Sequence, residues 1–164
     1  MLIAQISDTH MLPPGQIAYG MADTEQALVA AVKTINAAKP DYVIHTGDFA
    51  HHGAPQAYRL AIDIMQDLTA PYCAIPGNHD DRANMRAAFQ NAPWMPSRDD
   101  PEAFIHYVIE LGELRIVAVD SMIPGETGGE LCDARLQWLE ETLTAAPETP
   151  TIIALHHPPF PSGL

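Results

Sequence analysis

The chain has 164 residues, of which 47% are apolar, and this length fits one globular domain of the usual ~150 residues. Its net charge is −13, with 8 Lys and Arg against 21 Asp and Glu. A chain this acidic lacks the basic surface that binds a phosphate backbone, so the sequence predicts no nucleic-acid partner. Charge neutralisation at any phosphate would then fall to metal ions rather than to Lys or Arg.

No stretch of the sequence approaches the ~18 apolar residues of a membrane span, and its start lacks the basic segment and apolar core of a signal peptide. The sequence therefore predicts no membrane partner and a cytoplasmic location. Cys73 lies in an apolar run and Cys132 precedes a helical pattern. These settings are typical of free thiols rather than of a disulfide.

Short apolar runs alternate with longer helical patterns along the chain, which predicts an α/β fold built in layers. Strands are predicted over residues 2–6, 42–45, 72–75, 104–110, 113–119 and 151–155. Helices are predicted over residues 23–38, 55–68, 82–89 and 133–143. Asp23 can cap the first helix, with Gln26 three residues on, and Pro55 suits the first turn of the second. Leu111-Gly112 predicts an antiparallel hairpin.

Four of the predicted strands run directly into side chains that can bind metal ions. These side chains are Asp8 and His10, then Asp48, then Asn78, His79 and Asp80, and finally His156 and His157. Because ligands collect beyond the carboxyl ends of strands in open α/β sheets, the four segments are expected to converge. Asp8 and His10 are two residues apart, so an extended chain would point both side chains the same way.

The donor set mixes oxygen and nitrogen without thiolate, which suits Mn, Fe, Zn or Co. Asp48 is a candidate bridge, because a carboxylate has two oxygens that can each face one ion. Gly47 and Gly77 precede candidate ligands, and the missing Cβ permits a sharp turn and a close backbone approach there.

The remaining histidines are expected to lie outside the site. His45 falls within a predicted strand and is expected in the core or just behind the site. His51 and His52 stand in a polar loop before Gly53 and are expected to face solvent. His106 belongs to a predicted strand and is not expected to contact the site.

The order D-x-H, G-D, G-N-H-D and H-H-P-P resembles that of the calcineurin-like binuclear metallophosphoesterases. The residues that match are Asp8, His10, Gly47, Asp48, Gly77, Asn78, His79, Asp80 and His156. The wider surroundings of these motifs are similar to class III cyclic nucleotide phosphodiesterases and, among them, to bacterial glycerophosphodiesterases. The resemblance spans residues 1–164 and implies a single metallophosphoesterase domain, a layered α/β/β/α sandwich.

The resemblance also implies how the metals are held. Asp8 and His10 would bind one ion, and Asp48 would bridge it to the second. Asn78 and His156 would complete the shell of the second ion. Two transition-metal ions, Mn, Fe, Zn or Co, are thus the expected cofactors.

In the same resemblance, His79 and Asp80 are the catalytic residues. His79 would face the substrate phosphate, to stabilise the transition state or to protonate the leaving oxygen, with Asp80 as its orienting partner. The expected reaction is hydrolysis of a small phosphodiester, such as a cyclic nucleotide or a glycerophosphodiester, by a water that the two ions activate. A phosphomonoesterase, a protein phosphatase and a non-catalytic scaffold on the same fold are the alternatives.

The family pattern continues to a G-H-x-H on a later strand, which lies beyond Leu164. Each metal shell is therefore expected to lack one imidazole, the second half of the sandwich to be incomplete, and hydrolysis to be weak. The predicted strand over residues 151–155 would then expose an apolar edge, through which two copies could pair into a homo-oligomer.

Overall fold

Two three-stranded sheets organise the part of the chain that the computed structural model describes, which is residues 1–97, 100 and 103–160. The elements in chain order are β1 (Ile3–Ile6), α1 (Thr24–Ala38), β2 (Tyr42–His45), α2 (Pro55–Met65), β3 (Tyr72–Ala74), α3 (Arg82–Ala88), β4 (Tyr107–Leu111), β5 (Leu114–Ala118), α4 (Asp133–Ala145) and β6 (Thr151–Ala154). We call the sheet of β1, β2 and β3 the first sheet, and that of β4, β5 and β6 the second sheet.

The first sheet is parallel, with β2 at its centre and every residue of β2 buried. Helices α1 and α2 make the two crossovers that parallel strands require. Helix α1 begins as the sequence predicts, because the Asp23 side chain accepts a hydrogen bond of 2.9 Å from the Gln26 backbone N–H. Pro55 occupies the first turn of α2, also as predicted.

The second sheet is mixed. Strands β4 and β5 form the antiparallel hairpin that Leu111-Gly112 predicts, with Gly112 at a φ of +76° where a left-handed turn favours glycine. Strand β6 pairs with β5 in parallel. From β5, the buried Arg115 guanidinium donates hydrogen bonds to carbonyl oxygens at the end of α4, those of Thr142, Leu143 and Ala146. Helix α4 is thereby fixed to the second sheet.

One hydrophobic core joins the two sheets. It contains fully buried side chains from both, including Cys73 on β3 and Ile116 on β5. The Tyr107 hydroxyl on β4 donates a 2.6 Å hydrogen bond to the Ala74 carbonyl on β3, so one polar contact crosses between the sheets inside this core. The mixed α/β fold expected from the sequence is confirmed.

Strand β4 begins three residues later than predicted, at Tyr107 instead of residue 104. Phe104 is used differently, because its ring lies against two guanidinium groups, 5.2 Å from Arg82 and 4.4 Å from Arg135. These cation–π contacts hold Phe104 outside the strand that its apolar neighbours predict.

Helix α2 ends at Met65, three residues before the predicted end. The Asn36 side chain on α1 captures the following backbone, since it donates to the Asp67 carbonyl and accepts from the Thr69 N–H. These tertiary hydrogen bonds replace the next helical turn.

Both cysteines are free, as predicted, with Cys73 buried and Cys132 half-buried. Burial raises the pKa of the Cys73 thiol to about 11. Within the described part of the chain, no helix is both long enough and apolar enough to cross a membrane.

Candidate metal centre

The segments that follow β1 and β2 stay side by side after the strands end. The Asp8 N–H donates to the Gly47 carbonyl at 3.0 Å, and the His10 N–H donates to the Asp48 carbonyl at 2.9 Å. Met11 and Ala50 continue the pairing as an isolated parallel bridge. This pairing brings Asp8 and His10 alongside Asp48, as the shared position after the strands predicts.

The chain between Asp8 and His10 is not extended, so the expected reason for their proximity is wrong. Asp8, His10 and Asp48 all have positive φ angles, of 55°, 43° and 55°. Residues other than glycine rarely hold this left-handed conformation, and it is concentrated at functional sites. The turns nonetheless bring the side chains together, with Asp8 Oδ1 3.8 Å from His10 Nε2.

The Asp48 carboxylate lies at the centre of the cluster and is almost completely buried, with 3% of the residue exposed. Its Oδ2 atom is 3.5 Å from His10 Nε2, and its Oδ1 atom is 3.5 Å from His156 Nε2. The backbone N–H of His79 donates to Oδ1 at 2.9 Å and so fixes the carboxylate plane. The two oxygens therefore face two different groups of side chains that can bind a metal ion.

His156 reaches this centre from the second sheet. Its Nδ1 lies 2.8 Å from the Thr46 carbonyl oxygen, and its Nε2 lies 3.3 Å from Asn78 Oδ1. A carbonyl only accepts hydrogen bonds, so the ring proton belongs on Nδ1 and Nε2 carries a lone pair. That lone pair then faces two further acceptors, Asn78 Oδ1 and Asp48 Oδ1.

A bound cation relieves the repulsion between acceptor atoms that face one another without a proton between them. The metal-ligating side chains are Asp8 and His10 on one side of Asp48, and Asn78 and His156 on the other. Atoms of Asp8, His10 and Asp48 all lie within 4.8 Å of one another. The oxygen and nitrogen atoms present fit two transition-metal ions that share Asp48.

Two glycines make the close packing at Asp48 possible. A Cβ on Gly47, whose φ is +105°, would lie 2.5 Å from His156 Nδ1. A Cβ on Gly77 would overlap the Asp48 carboxylate. The close backbone approach predicted at these two glycines is therefore present.

His79 and Asp80 are adjacent in sequence but make contacts of different kinds. The His79 ring donates from Nδ1 to the His51 carbonyl at 2.8 Å, so its orienting contact comes from His51 rather than from Asp80. The buried Asp80 carboxylate accepts four hydrogen bonds, from the N–H groups of Phe49, Ala50 and Gly77 and from the Tyr58 hydroxyl. Burial raises the pKa of Asp80, and these four donors oppose that rise.

His45 lies behind the centre in a chain of hydrogen bonds, as its position in the strand predicts. Its Nδ1 accepts from the Gly47 N–H at 3.3 Å, and its Nε2 lies 2.9 Å from Thr9 Oγ1. The Thr9 hydroxyl in turn donates to the Phe49 carbonyl at 3.1 Å. Complete burial lowers the pKa of His45 to about 3, so the ring is neutral and its proton is on Nε2.

The expectation that His51 faces solvent is wrong. Only 8% of the residue is exposed, and its Nδ1 lies 3.1 Å from His10 Nδ1. The continued pairing of the segments after β1 and β2 turns it inward, and a polar loop before a glycine gives no sign of that. His52 is exposed as expected, and His106 stacks on Trp138, 4.1 Å away between ring centres.

Burial is the main cause that lowers the pKa values of both His10 and His51. For His10 the carboxylates of Asp48 and Asp8 oppose the shift, while His79 and His156 add to it. The neutral imidazole that results is the form that binds metal ions.

Carboxylate, amide and imidazole groups surround one buried aspartate at the edge of a parallel sheet. This arrangement defines an α/β protein with a candidate dinuclear metal centre. The sequence pattern of the calcineurin-like phosphoesterases matches residues 1–164, and the chain belongs to this family. The resemblance drawn from the motifs is confirmed.

Bacterial relatives are named as phosphodiesterases. The chain is 36% identical over 166 residues to a probable glycerophosphodiester phosphodiesterase of Arcobacter nitrofigilis, covering 100% of this chain and 59% of the relative. It is 32% identical over 164 residues to the 3',5'-cyclic adenosine monophosphate phosphodiesterase of Escherichia coli K12, covering 98% and 56%. The chain thus spans somewhat more than half the length of these relatives.

Solved structures support the fold. A dimetal phosphatase from Danio rerio matches with a TM-score of 0.70 and 16% identity, over 98% of this chain and 71% of that one. A purple acid phosphatase from yellow lupin matches with a TM-score of 0.60 and 15% identity, over 92% and 29%.

Proposed function

We propose that this protein hydrolyses small phosphodiesters with two transition-metal ions bound around Asp48. The observation that carries the proposal is the pair of acceptor groups that face the two oxygens of this one buried carboxylate. The relatives, which are named as glycerophosphodiester and cyclic nucleotide phosphodiesterases, support the substrate class.

In this proposal, Asp8 and His10 hold one ion together with Asp48 Oδ2. Asn78 and His156 hold the other together with Asp48 Oδ1. Mn, Fe, Zn and Co suit such mixed oxygen and nitrogen donors. When bound, two ions of this kind lower the pKa of a shared water and neutralise charge on the phosphoryl oxygens.

His79 is the residue that we propose to act on the substrate. Its side chain is 32% exposed, its Nδ1 donates to the His51 carbonyl, and its Nε2 lies 4.0 Å from Asp48 Oδ2 and so beside the proposed ions. When Nε2 is protonated it can donate to a phosphoryl oxygen or to the leaving oxygen. Asp80 supports this role indirectly, because it ties Gly77 to Phe49 and Ala50 and so holds the segment that carries His79.

Hydrolysis of bis(p-nitrophenyl) phosphate tests the proposal. Metal-free protein should be inactive, and Mn²⁺ should restore hydrolysis of this diester in preference to p-nitrophenyl phosphate. Asn78→Ala should reduce the restored rate, whereas Asn91→Ala, at an exposed asparagine, should not. A preference for the monoester would favour a phosphomonoesterase, and failure to bind Mn²⁺ would favour a non-catalytic scaffold.

We further propose that β6 mediates self-association. Among the described strands β6 pairs only with β5, and Ile152 and Ile153 on it are 41% and 43% exposed. An apolar strand edge of this kind is a template for pairing with a second copy. A cytoplasmic location remains a prediction from the sequence.

A further inference from the structure

His51 lies between two histidines of the candidate centre and contacts each through a different group. Its side chain approaches His10, with 3.1 Å between the two Nδ1 atoms. Its carbonyl oxygen accepts from Nδ1 of His79 at 2.8 Å. Its own N–H donates to the Met11 carbonyl at 2.9 Å, which anchors the backbone from which both contacts are made.

The contact between His10 and His51 requires one proton between two ring nitrogens. If that proton belongs to His10, then Nε2 of His10 carries a lone pair. That atom is 3.5 Å from Asp48 Oδ2 and 3.8 Å from Asp8 Oδ1. Both distances exceed the usual 2.7–3.2 Å of an N–H···O hydrogen bond, so a proton on Nε2 would have no good acceptor there. The geometry therefore favours the proton on Nδ1 of His10.

We propose that His51 is a positioning residue that accepts the Nδ1 proton of His10 and thereby keeps the Nε2 lone pair of His10 directed at Asp8 and Asp48. This inference rests on the proposed function, because it concerns the tautomer and orientation of His10, one of the proposed metal ligands. Outer hydrogen bonds to ligating histidines fix the tautomer and ring orientation, and their loss commonly weakens metal affinity by about 10–100-fold.

His51 also packs against its neighbours, and this role must be separated from the hydrogen bond. Its ring is nearly parallel to that of His79, with centres 5.1 Å apart and 12° between the planes. The ring of Tyr19 meets it edge-on at 5.0 Å. His51→Phe keeps an aromatic ring but removes the acceptor, whereas His51→Asn loses the ring but keeps an acceptor oxygen close to the position of Nδ1.

The hydrogen bond from His79 is kept in both variants, since its acceptor is the main-chain carbonyl of residue 51. The two variants therefore isolate the side-chain contact to His10. His52→Phe is the matched control, because His52 is the adjacent histidine, is exposed, and lies against His51 without a contact to His10 in the described structure.

Mn²⁺ binding to the metal-free protein, measured by titration calorimetry, tests the proposal. His51→Phe should bind about 10–100-fold more weakly than the unaltered protein, while His51→Asn and His52→Phe should stay close to it. Affinity in His51→Phe equal to that of the unaltered protein would overturn the proposal. Equal losses in His51→Phe and His51→Asn would also overturn it, because an acceptor oxygen at this position would then fail to restore the affinity.

Nitrogen-15 NMR of the metal-free protein separates this inference from the proposed function. His10 should be in the Nδ1–H form in the unaltered protein and in His51→Asn, and should shift toward the Nε2–H form in His51→Phe. If these shifts occur but Mn²⁺ does not bind, the proposed function fails and the positioning role stands. If Mn²⁺ binds and the His10 tautomer is the same in all three proteins, the positioning role fails and the proposed function stands.

Discussion

In the first sheet all three strands run into segments with candidate ligands, whereas in the second sheet only β6 does. The first sheet supplies Asp8, His10, Asp48 and Asn78, and the second supplies His156. The segments of the first sheet are tied together by backbone pairing and by the His45 and Asp80 networks. His156 is attached to them chiefly through the Thr46 carbonyl, across 110 positions in sequence.

Two carboxylates of the first sheet show that burial alone does not identify a functional group. Asp48 and Asp80 are both buried first-sheet carboxylates, with 3% and 8% of the residue exposed. Asp80 has all its acceptor capacity used by four donors, while Asp48 has oxygens turned toward imidazoles at distances too long for hydrogen bonds. A buried carboxylate with unused acceptor capacity is the one that can take part in metal binding.

The largest effect that we expect separates the contributions of the two sheets. Asp48→Ala should weaken the binding of both Mn²⁺ ions by more than about 100-fold, because Asp48 faces both groups of metal-ligating side chains. His156→Ala should remove only the ion next to Asn78. Metal analysis after equilibrium dialysis counts the ions that remain.

Asp63→Ala, at an exposed acid on α2, is the control and should retain both ions. Two ions in Asp48→Ala would refute a shared carboxylate. No ions in His156→Ala would show that the first sheet does not hold a metal without the second.

Asp80→Ala should lower the free energy of unfolding by at least about 3 kcal/mol. It leaves three backbone N–H groups and the Tyr58 hydroxyl without their acceptor, and each buried unsatisfied donor costs about 1–3 kcal/mol. Urea unfolding measures the change.

The adjacent Asp81 supplies a matched comparison, since it caps α3 by accepting from the Asn84 N–H. Asp81→Ala should cost only about 1 kcal/mol, the usual value for loss of a helix cap. Similar losses in the two variants would mean that Asp80 does not organise the first-sheet segments.

His45 should make the metal-free protein less stable as the pH falls from 6.5 toward 3. Its pKa is about 3 in the folded state and 6.5 when unperturbed, so between these values the unfolded chain binds one more proton than the folded protein. Its contribution is complete above pH 6.5 and is lost on acidification, at up to about 1.4 kcal/mol per pH unit. Urea unfolding at a series of pH values should give a flatter profile for His45→Gln, and parallel profiles would exclude His45 as the cause.

The smallest effect concerns the edge of β6 that pairs with no other described strand. The unaltered protein should associate as its concentration rises, and Ile153→Lys should weaken this association, because a lysine on an edge strand opposes pairing. Static light scattering across a concentration series measures it. Val29→Lys changes an exposed apolar residue on α1 and should leave association unchanged. A concentration-independent monomer in all three proteins would contradict a role for β6.

Much of the first sheet could be predicted from sequence because its signals are local. Apolar runs mark β1, β2 and β3, and the polar residues directly after them mark one edge of the sheet. The convergence of Asp8, Asp48 and Asn78 follows from that placement alone. His156 required the family resemblance, since no local spacing relates it to residues about 80 or more positions earlier.

Other features depended on tertiary contacts that no local pattern encodes. His51 turns inward because the segments after β1 and β2 remain paired, and Asn36 ends α2 by binding its backbone. The left-handed turns at Asp8 and His10 could not be predicted either, because two ligands spaced two residues apart suggest an extended chain.

Those left-handed turns set a limit on engineering for heat resistance. A residue with a side chain held at such an angle costs on the order of 1 kcal/mol or more, and glycine adopts the same angle freely. Selection for melting temperature alone would therefore favour glycine at positions 8 and 10, and each change would delete a metal-ligating side chain of the candidate centre. A thermostable variant that keeps the centre should leave Asp8 and His10 unchanged and gain its stability elsewhere.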